Sequence, residues 1–319
     1  AEVDRVQHWS TYWRSQDAHS RGTAPYGEVL ESLWQQLFER TGRDASVLDV
    51  GTGNGDVAIL MARYSVAGGL DWDITGVDFA EIHPPERVSP ALREQMTFLS
   101  GTRVEDLPFD DGTFDLVTSQ FAVEYAHLDS ALSECLRVLK PEAQLGLLAH
   151  CEDSGLVRGS RGTIDVLDRA LDNGGVFDCA AQLIQRVQPL LSGMGVEALK
   201  KDPLANRLRV AFNEAIDQLQ KSVTSRALVP LVDQMLADTT SVVQSCNQLS
   251  MADVEEQLAQ VRSKYVDSRQ RALDQLEAAS TGEKIPEALE ALGIAEDRIH
   301  SEDVYFNTDR IGRYFLVTG

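Results

Sequence analysis

The chain has 319 residues, 43% apolar and 25% charged, with a formal net charge of −21. Such usage excludes fibrous and disordered classes, and the length predicts one large domain with an insertion, or two domains. The acidic balance repels phosphate backbones and anionic lipid surfaces, so neither nucleic acid nor a membrane is an expected partner.

The opening AEVDRVQHW has no basic segment followed by an apolar run. No stretch approaches the ~20 apolar residues of a bilayer span, so a cytoplasmic protein is expected. On a short N-terminal helix His8, Trp9, Tyr12 and Trp13 form i, i+4 pairs, a cluster that reads as packing or as a lid over a ligand. Trp34, on the next helix, reads as packing.

From Ser46 to His150 short apolar runs (SVLDVG, DITGVDF, MTFLSG, FDLVTSQF, QLGLLAH) alternate with helical stretches (GDVAILMARY, SALSECLRVLK). That alternation predicts βαβ units on a mostly parallel sheet whose strands are buried on both faces. From Gly155 to Gly293 the periodicity turns helical, with apolar stripes such as Leu183, Ile184, Val187, Leu190, Leu191 and Val254, Leu258, Val261, Tyr265. Ser250 is the expected N-cap of the latter helix. DVYFN and RYFLVTG, separated by TDRIG, predict a closing hairpin. The expected division is an α/β domain over 1–153 and 295–319, with a helical insertion over 154–294 serving as substrate lid, dimer interface or both. Cys135, Cys151, Cys179 and Cys246 show no metal-ligand spacing and read as reduced thiols, so no metal site is expected.

The strongest local signal is Val47-Leu48-Asp49-Val50-Gly51-Thr52-Gly53-Asn54-Gly55-Asp56, an apolar strand entering a glycine-dense turn and then a helix. Glycines allow tight dihedrals and close approach of a ligand to the backbone, and the helix N-terminus favours an anionic group. A nicotinamide-binding fingerprint places glycine where Asp56 stands, and an acid there would face a pyrophosphate. The second strand ends in Gly76-Val77-Asp78-Phe79, putting Asp78 at the carboxyl edge of the sheet, where its carboxylate can accept both hydroxyls of a ribose.

Taken together, Asp49 through Gly55 and the terminal Asp78 resemble the class I methyltransferases dependent on S-adenosylmethionine (SAM). Arg137-Val138-Leu139-Lys140-Pro141 resembles the RVLKPGG turn of their ubiquinone and menaquinone branch, with Glu142-Ala143 in place of the glycines. The resemblance implies a Rossmann-like seven-stranded sheet with a C-terminal antiparallel hairpin, and SAM as cofactor. It implies cofactor contacts from Asp49, Gly51, Thr52, Gly53, Asn54, Gly55, Asp78 and Phe79. By position before LPF it implies adenine contacts from Arg103 and Val104, although an acid or amide is commoner than arginine there.

The fourth strand is expected to end at Thr118-Ser119, and the loop after it, Gln120-Phe121-Ala122-Val123-Glu124-Tyr125-Ala126-His127, borders the methyl group in that family. Ser119 and Gln120 are therefore assigned to the cofactor, while Gln120, Glu124, Tyr125 and His127 are candidates for the chemistry. Glu124 and Tyr125 are favoured, with His150, which ends the fifth strand at the same edge, as a candidate base. Each also has a bland reading as a loop or packing residue. The expected activity is methyl transfer to oxygen or nitrogen of a small-molecule acceptor, in a possible homodimer formed through the helical insertion. The alternative is a non-catalytic SAM-binding protein that uses that insertion for assembly or regulation.

Overall fold

The computed structural model describes residues 9–14, 26–83 and 88–319. His8 and residues 84–87 lie outside the described residues. The chain forms two compact units, Ala1–Val157 with Gln275–Gly319, and Arg158–Asp274.

The first unit is built on a seven-stranded sheet. In chain order it has α1 (9–14), α2 (Gly27–Phe38), β1 (Ser46–Val50), α3 (Asp56–Gly68), β2 (Asp73–Asp78), the single turn α4 (Pro90–Arg93), β3 (Met96–Ser100) and β4 (Phe114–Gln120). A 3-10 turn (Val123–Tyr125), α5 (Leu128–Val138) and β5 (Leu139–Ala149) follow, and the C-terminal part supplies α12 (Ile285–Ala291), β6 (Ile299–Phe306) and β7 (Asp309–Val317). The strand order is β3-β2-β1-β4-β5-β7-β6. The first five strands are parallel, and β7 pairs antiparallel with both β5 and β6.

Strand residues alternate between two cores, which explains their near-continuous apolarity. Val47, Leu116, Leu148 and Leu316 join α2 and α3 on one side, whereas Leu48, Val117, Leu147 and Phe315 join α5 and α12 on the other. Trp34 is fully buried in the first core, as packing requires. Glu142 stands where the related turn has glycine, and it takes a left-handed backbone, φ 65°. That conformation carries strain for a residue with a Cβ.

The α/β unit extends further than helical periodicity suggested. Ile285 and Leu289, expected within the insertion, are buried in the second core with α5, and residues from Gln275 onward belong to this unit. An amphipathic helix covering a sheet has the same sequence period as a helix of a bundle, so the pattern alone could not separate them. The hairpin also differs from expectation. Its turn falls at Asn307-Thr308, and Asp309 to Gly312 lie in β7, where a register shift opposite Val304/Tyr305 accommodates Ile311.

The second unit holds most of α6 (Gly155–Leu171), all of α7 (Val176–Met194), α8 (Val196–Lys201), α9 (Pro203–Ser222) and α10 (Val229–Ser245), and the start of α11 (Met251–Gly282). Val166, Leu167, Phe177, Ile184, Phe212, Met235, Val254 and Tyr265 form its core. The expected cap is present, because Ser250 Oγ accepts from Asp253 N at 3.2 Å. Among the described residues no helix is long and apolar enough to cross a membrane.

Candidate active site

The candidate residues gather at the carboxyl ends of β1, β2, β4 and β5. Gly51, Gly53 and Gly55 all take left-handed backbones, at φ 63°, 54° and 89°. Protein atoms as well as dihedrals demand glycine here. A Cβ on Gly51 would come within 2.2 Å of Ala122 Cβ, one on Gly53 within 2.7 Å of the Trp13 ring, and one on Gly55 within 2.8 Å of the Phe98 ring. Thr52 N donates to Val77 O at 2.9 Å, tying the loop to the end of β2. Asp49 is buried and accepts from Thr118 Oγ1 at 2.8 Å.

Asp78 completes this cradle. Its two carboxylate oxygens accept from Gly53 N and Ala80 N, each at 2.8 Å. Burial pushes its carboxyl above the usual range, against the opposing pull of the Ala80 and Gly53 amides. Thr52 Oγ1 is buried without a hydrogen-bond partner among the described residues. A sheltered carboxylate and an orphaned hydroxyl beside a left-handed glycine turn suit a ligand rich in hydroxyl and amino groups. These residues therefore fit the ribose and amino-acid portions of SAM. Asp56 opens α3, where it complements the helix dipole and disfavours a pyrophosphate.

Helix α1 lies against this cradle. Besides the Trp13 ring on Gly53, Asn54 Nδ2 donates to Trp13 O at 2.9 Å, and Asn54 Oδ1 accepts from His83 N at 3.0 Å. Asn54 thus fastens α1 and the segment after β2 to the loop. Of the aromatic cluster read from the sequence, Trp9, Tyr12 and Trp13 are described and pack mutually. Trp9 also reaches the ring of Tyr125, with centroids 5.5 Å apart.

The loop after β4 joins two of the favoured catalytic candidates. Glu124, 2% exposed, directs Oε1 at His150, accepting from its backbone N at 3.0 Å and its Nδ1 at 2.8 Å. Glu124 Oε2 has no hydrogen-bond partner among the described residues. His150 follows β5 directly, and its other ring nitrogen, Nε2, lies 2.6 Å from Gln275 Nε2. The rings of Phe121 and Tyr125 flank the imidazole at centroid distances of 4.4 and 5.7 Å. Phe121 holds a left-handed backbone, φ 53°, and donates its amide to Leu148 O at 2.6 Å. That strained residue keeps the loop folded back onto β5. Trp13, Trp9, Tyr125 and His150 consequently form an aromatic row from the glycine loop to the Glu124–His150 pair.

Other candidates have distinct surroundings. Ser119 Oγ is buried and accepts from Val123 N at 3.1 Å, while Gln120 Oε1 accepts from Trp34 Nε1 at 2.7 Å, so both brace the loop from below. His127 precedes α5 and its Nδ1 lies 3.2 Å from Ser130 Oγ. The Arg103 guanidinium sits over the Phe79 ring, 5.0 Å from its centroid. Val104 packs against the second core. Arg137 staples the LPF segment to α5, donating to Leu107 O, Phe109 O, Asp111 and Glu134. Residues that the sequence reading missed are Gln275 and Gly282, whose roles depend on a chain reversal of over a hundred residues. Gly282 left one trace, a glycine inside a helical register.

All four cysteines are free and buried. Cys151 Sγ, Asp153 and Glu283 present ligand-type atoms within 4.8 Å of one another. Arg310 pairs with Asp153 and Arg313 with Glu283. Burial pushes the Cys151 thiol up to about 11, so this cluster is read as an ion-pair network.

Known proteins align with the region just described. A methyltransferase domain family matches residues 47–142. The ubiquinone/menaquinone biosynthesis C-methyltransferase UbiE of Brucella anthropi is 28% identical over 200 residues, 55% of this chain and 69% of that protein. The demethylmenaquinone methyltransferase of Chlorobaculum tepidum is 36% identical over 125 residues, 38% of this chain and 48% of its own. Among solved structures, a SAM-dependent methyltransferase described as putative, from Methanococcus maripaludis, covers 92% of this chain and 87% of its own at 14% identity and TM-score 0.36. With the strand order, the glycine loop and Asp78 at the end of β2 already in place, residues 47–142 match a methyltransferase domain, and the chain is similar to the methyltransferases of ubiquinone and menaquinone biosynthesis.

Proposed function

We propose that the protein transfers the methyl group of SAM to a small-molecule acceptor whose O–H or N–H proton is taken by His150, with Glu124 orienting the imidazole. The observation that carries this reading is the buried bond from His150 Nδ1 to Glu124 Oε1, 2.8 Å long, at the carboxyl edge of the sheet. Bound SAM supplies an electrophilic methyl group on a sulfonium, so the chain's own task is positioning, exclusion of water and removal of one proton.

Asp78 accepts the ribose hydroxyls through the lone pairs left over from Gly53 and Ala80, and Thr52 offers its unpaired hydroxyl. The loop backbone at Gly51, Gly53 and Gly55, with Asp49 and Asn54 bracing it, follows the amino-acid portion. Phe79 and Arg103 provide a flat cationic-aromatic face for adenine beside Val104. Ser119 and Gln120 act by holding the loop after β4. With Nδ1–H bound by the carboxylate, Nε2 is the proton acceptor, and Glu124 stabilises the imidazolium that forms. Tyr125 and Phe121 wall the acceptor side and keep it dry.

A second reading is methylation at carbon, favoured by the name of the Brucella anthropi relative, a C-methyltransferase. The same proton removal from an enol or phenol would make an adjacent carbon the nucleophile. The helical unit, Arg158–Asp274, is assigned acceptor selection or homodimer formation. Cytoplasmic placement agrees with four free, buried thiols.

The test is release of S-adenosylhomocysteine from SAM with a filtered metabolite extract as acceptor source. His150→Gln should lose turnover while binding S-adenosylhomocysteine normally by calorimetry. Wild-type turnover by that variant would refute the base, and mass spectrometry of the methylated product would identify the acceptor atom.

A further inference from the structure

The last two turns of α11 touch His150 twice. Gln275 Nε2 lies 2.6 Å from the imidazole Nε2. Seven residues on, and hence on the same helix face, a Cβ at Gly282 would lie 2.5 Å from His150 O and 3.3 Å from Ala149 Cβ. Glycine therefore lets the helix reach the backbone of the residue whose ring Gln275 meets. Both contacts lie outside residues 47–142, the stretch shared with the methyltransferase domain family.

Hydrogen-bond chemistry fixes what that contact is. Glu124 Oε1 accepts from His150 Nδ1, so Nδ1 carries the proton and Nε2 offers a lone pair. An amide nitrogen has no lone pair to give, so the attractive arrangement is Gln275 N–H donating to Nε2. The imidazole is thereby bonded at both nitrogens, by an acceptor on one side and a donor on the other, a combination that only one tautomer satisfies.

We propose that Gln275 is a positioning residue for His150, holding it as the Nδ1–H tautomer with the Nε2 lone pair directed to the place the acceptor's hydroxyl or amine must occupy. This rests on the reading of His150 as the base. An incoming O–H or N–H replaces the amide N–H at Nε2, one donor for another, so an acceptor lacking a donor cannot displace Gln275 without leaving Nε2 unpaired. In the transfer step the acceptor's O–H or N–H bond breaks and Nε2–H forms. The electron pair left on the acceptor makes the new bond to the methyl group, while the sulfonium's C–S pair returns to sulfur. Rotation of the Gln275 amide then presents its oxygen, which accepts from Nε2–H of the imidazolium. A hydrophobic side chain could serve neither state, and a carboxylate would serve only the protonated one.

The test is nitrogen-15 spectroscopy of the histidine rings in the full chain with S-adenosylhomocysteine bound, His150 being assigned by loss of its signals in His150→Gln. Wild type should show a protonated, pyrrole-type Nδ1 and a pyridine-type Nε2 shifted by a donated hydrogen bond. Gln275→Leu should move Nε2 to the position of an unbonded lone pair and populate the other tautomer. Gln275→Glu, which preserves shape should the leucine variant fold poorly, should turn Nε2 pyrrole-type. With the metabolite extract, Gln275→Leu should lower kcat about tenfold and leave the KM for SAM unchanged. Identical His150 spectra in wild type and both variants would overturn the role of Gln275 and leave the base untouched. Wild-type turnover by His150→Gln would instead remove the base reading, and this proposal with it.

Discussion

Replacing Glu124 by glutamine separates the chemistry of the carboxylate from its structural role. Both bonds to His150 end on a single oxygen, Oε1, and Oε2 has no partner among the described residues. A glutamine can therefore keep its carbonyl on the two His150 N–H groups and place its NH2 where nothing was bonded. The charge is lost, and the new NH2 stands at a buried position with no acceptor among the described residues. At an effective dielectric of about 20, removing a charge roughly 4 Å from the developing imidazolium forfeits at most about 4 kcal/mol. Glu124→Gln should therefore slow turnover by up to about a thousandfold, while loss of charge assistance and the unbonded NH2 together destabilise the fold by about 2–4 kcal/mol. Glu124→Ala removes both acceptor bonds as well as the charge. It strands two donors at a buried site, at about 1–3 kcal/mol each, and its effect should appear in the melting curve as well as in the rate. The assay pairs thermal unfolding with S-adenosylhomocysteine release from SAM and a metabolite extract. A glutamine variant that turns over within threefold of wild type would refute the argument that Glu124 stabilises an imidazolium.

The remaining predictions concern the cofactor cradle and the frame around it. Asp78→Ala removes the carboxylate proposed to accept two charge-assisted bonds from ribose, worth about 1.5 kcal/mol each, so calorimetry should find S-adenosylhomocysteine bound about a hundredfold more weakly. Trp13→Ala, which uncovers Gly53, should speed exchange of S-adenosylhomocysteine several-fold in stopped-flow fluorescence; unchanged rates would mean that α1 does not gate the cradle. Glu142→Gly relieves a left-handed backbone worth about 1 kcal/mol against an entropic loss of about 0.5 kcal/mol, so the melting temperature should rise by about 1 °C. The Glu134 carboxyl is held below its usual range, chiefly by the hydrogen bond from Arg137. A depressed folded-state value contributes stability that is complete above the unfolded value, about 4.3, and disappears as pH falls through the folded one. Glu134→Gln should thus be less stable than wild type at pH 7, and the two should converge in acid; a constant gap at every pH would refute the assignment.

Much of the α/β unit was legible because its information is local. The glycine turn, Asp78 at the end of β2 and His150 after β5 each follow from where an apolar run stops, and parallel strands bring their carboxyl ends to one edge. The pairing of Glu124 with His150 is compatible with that local pattern without following from it, since it depends on the loop after β4 folding back through the left-handed Phe121. The hairpin turn was displaced because Asp309 and Arg310 look like turn residues. Arg310 instead pairs with Asp303 across the strands at 2.8 Å, as Arg313 does, so charged residues are at home in β7. Gln120 was assigned to the cofactor by position, while its amide oxygen serves Trp34. An indole donor 86 residues earlier in the chain leaves no mark on the local pattern.

Residues 47–142, the span of the family match, contain the glycine turn and Asp78, which form the candidate cofactor cradle, and also Glu124. The proposed base and the α11 residues that meet it lie elsewhere in the chain: His150 after the end of β5, and Gln275 and Gly282 in the last two turns of α11. The family match therefore takes in the glycine turn and Asp78 together with Phe121, Glu124 and Tyr125, while His150, Gln275 and Gly282 lie beyond it. Helical periodicity marks the helical region as ending near Gly293, yet within its last part Gln275 meets the imidazole of His150, and Ile285 and Leu289 fill the core with α5. The compact α/β unit accordingly resumes at Gln275, inside α11, and not where the helical periodicity ends.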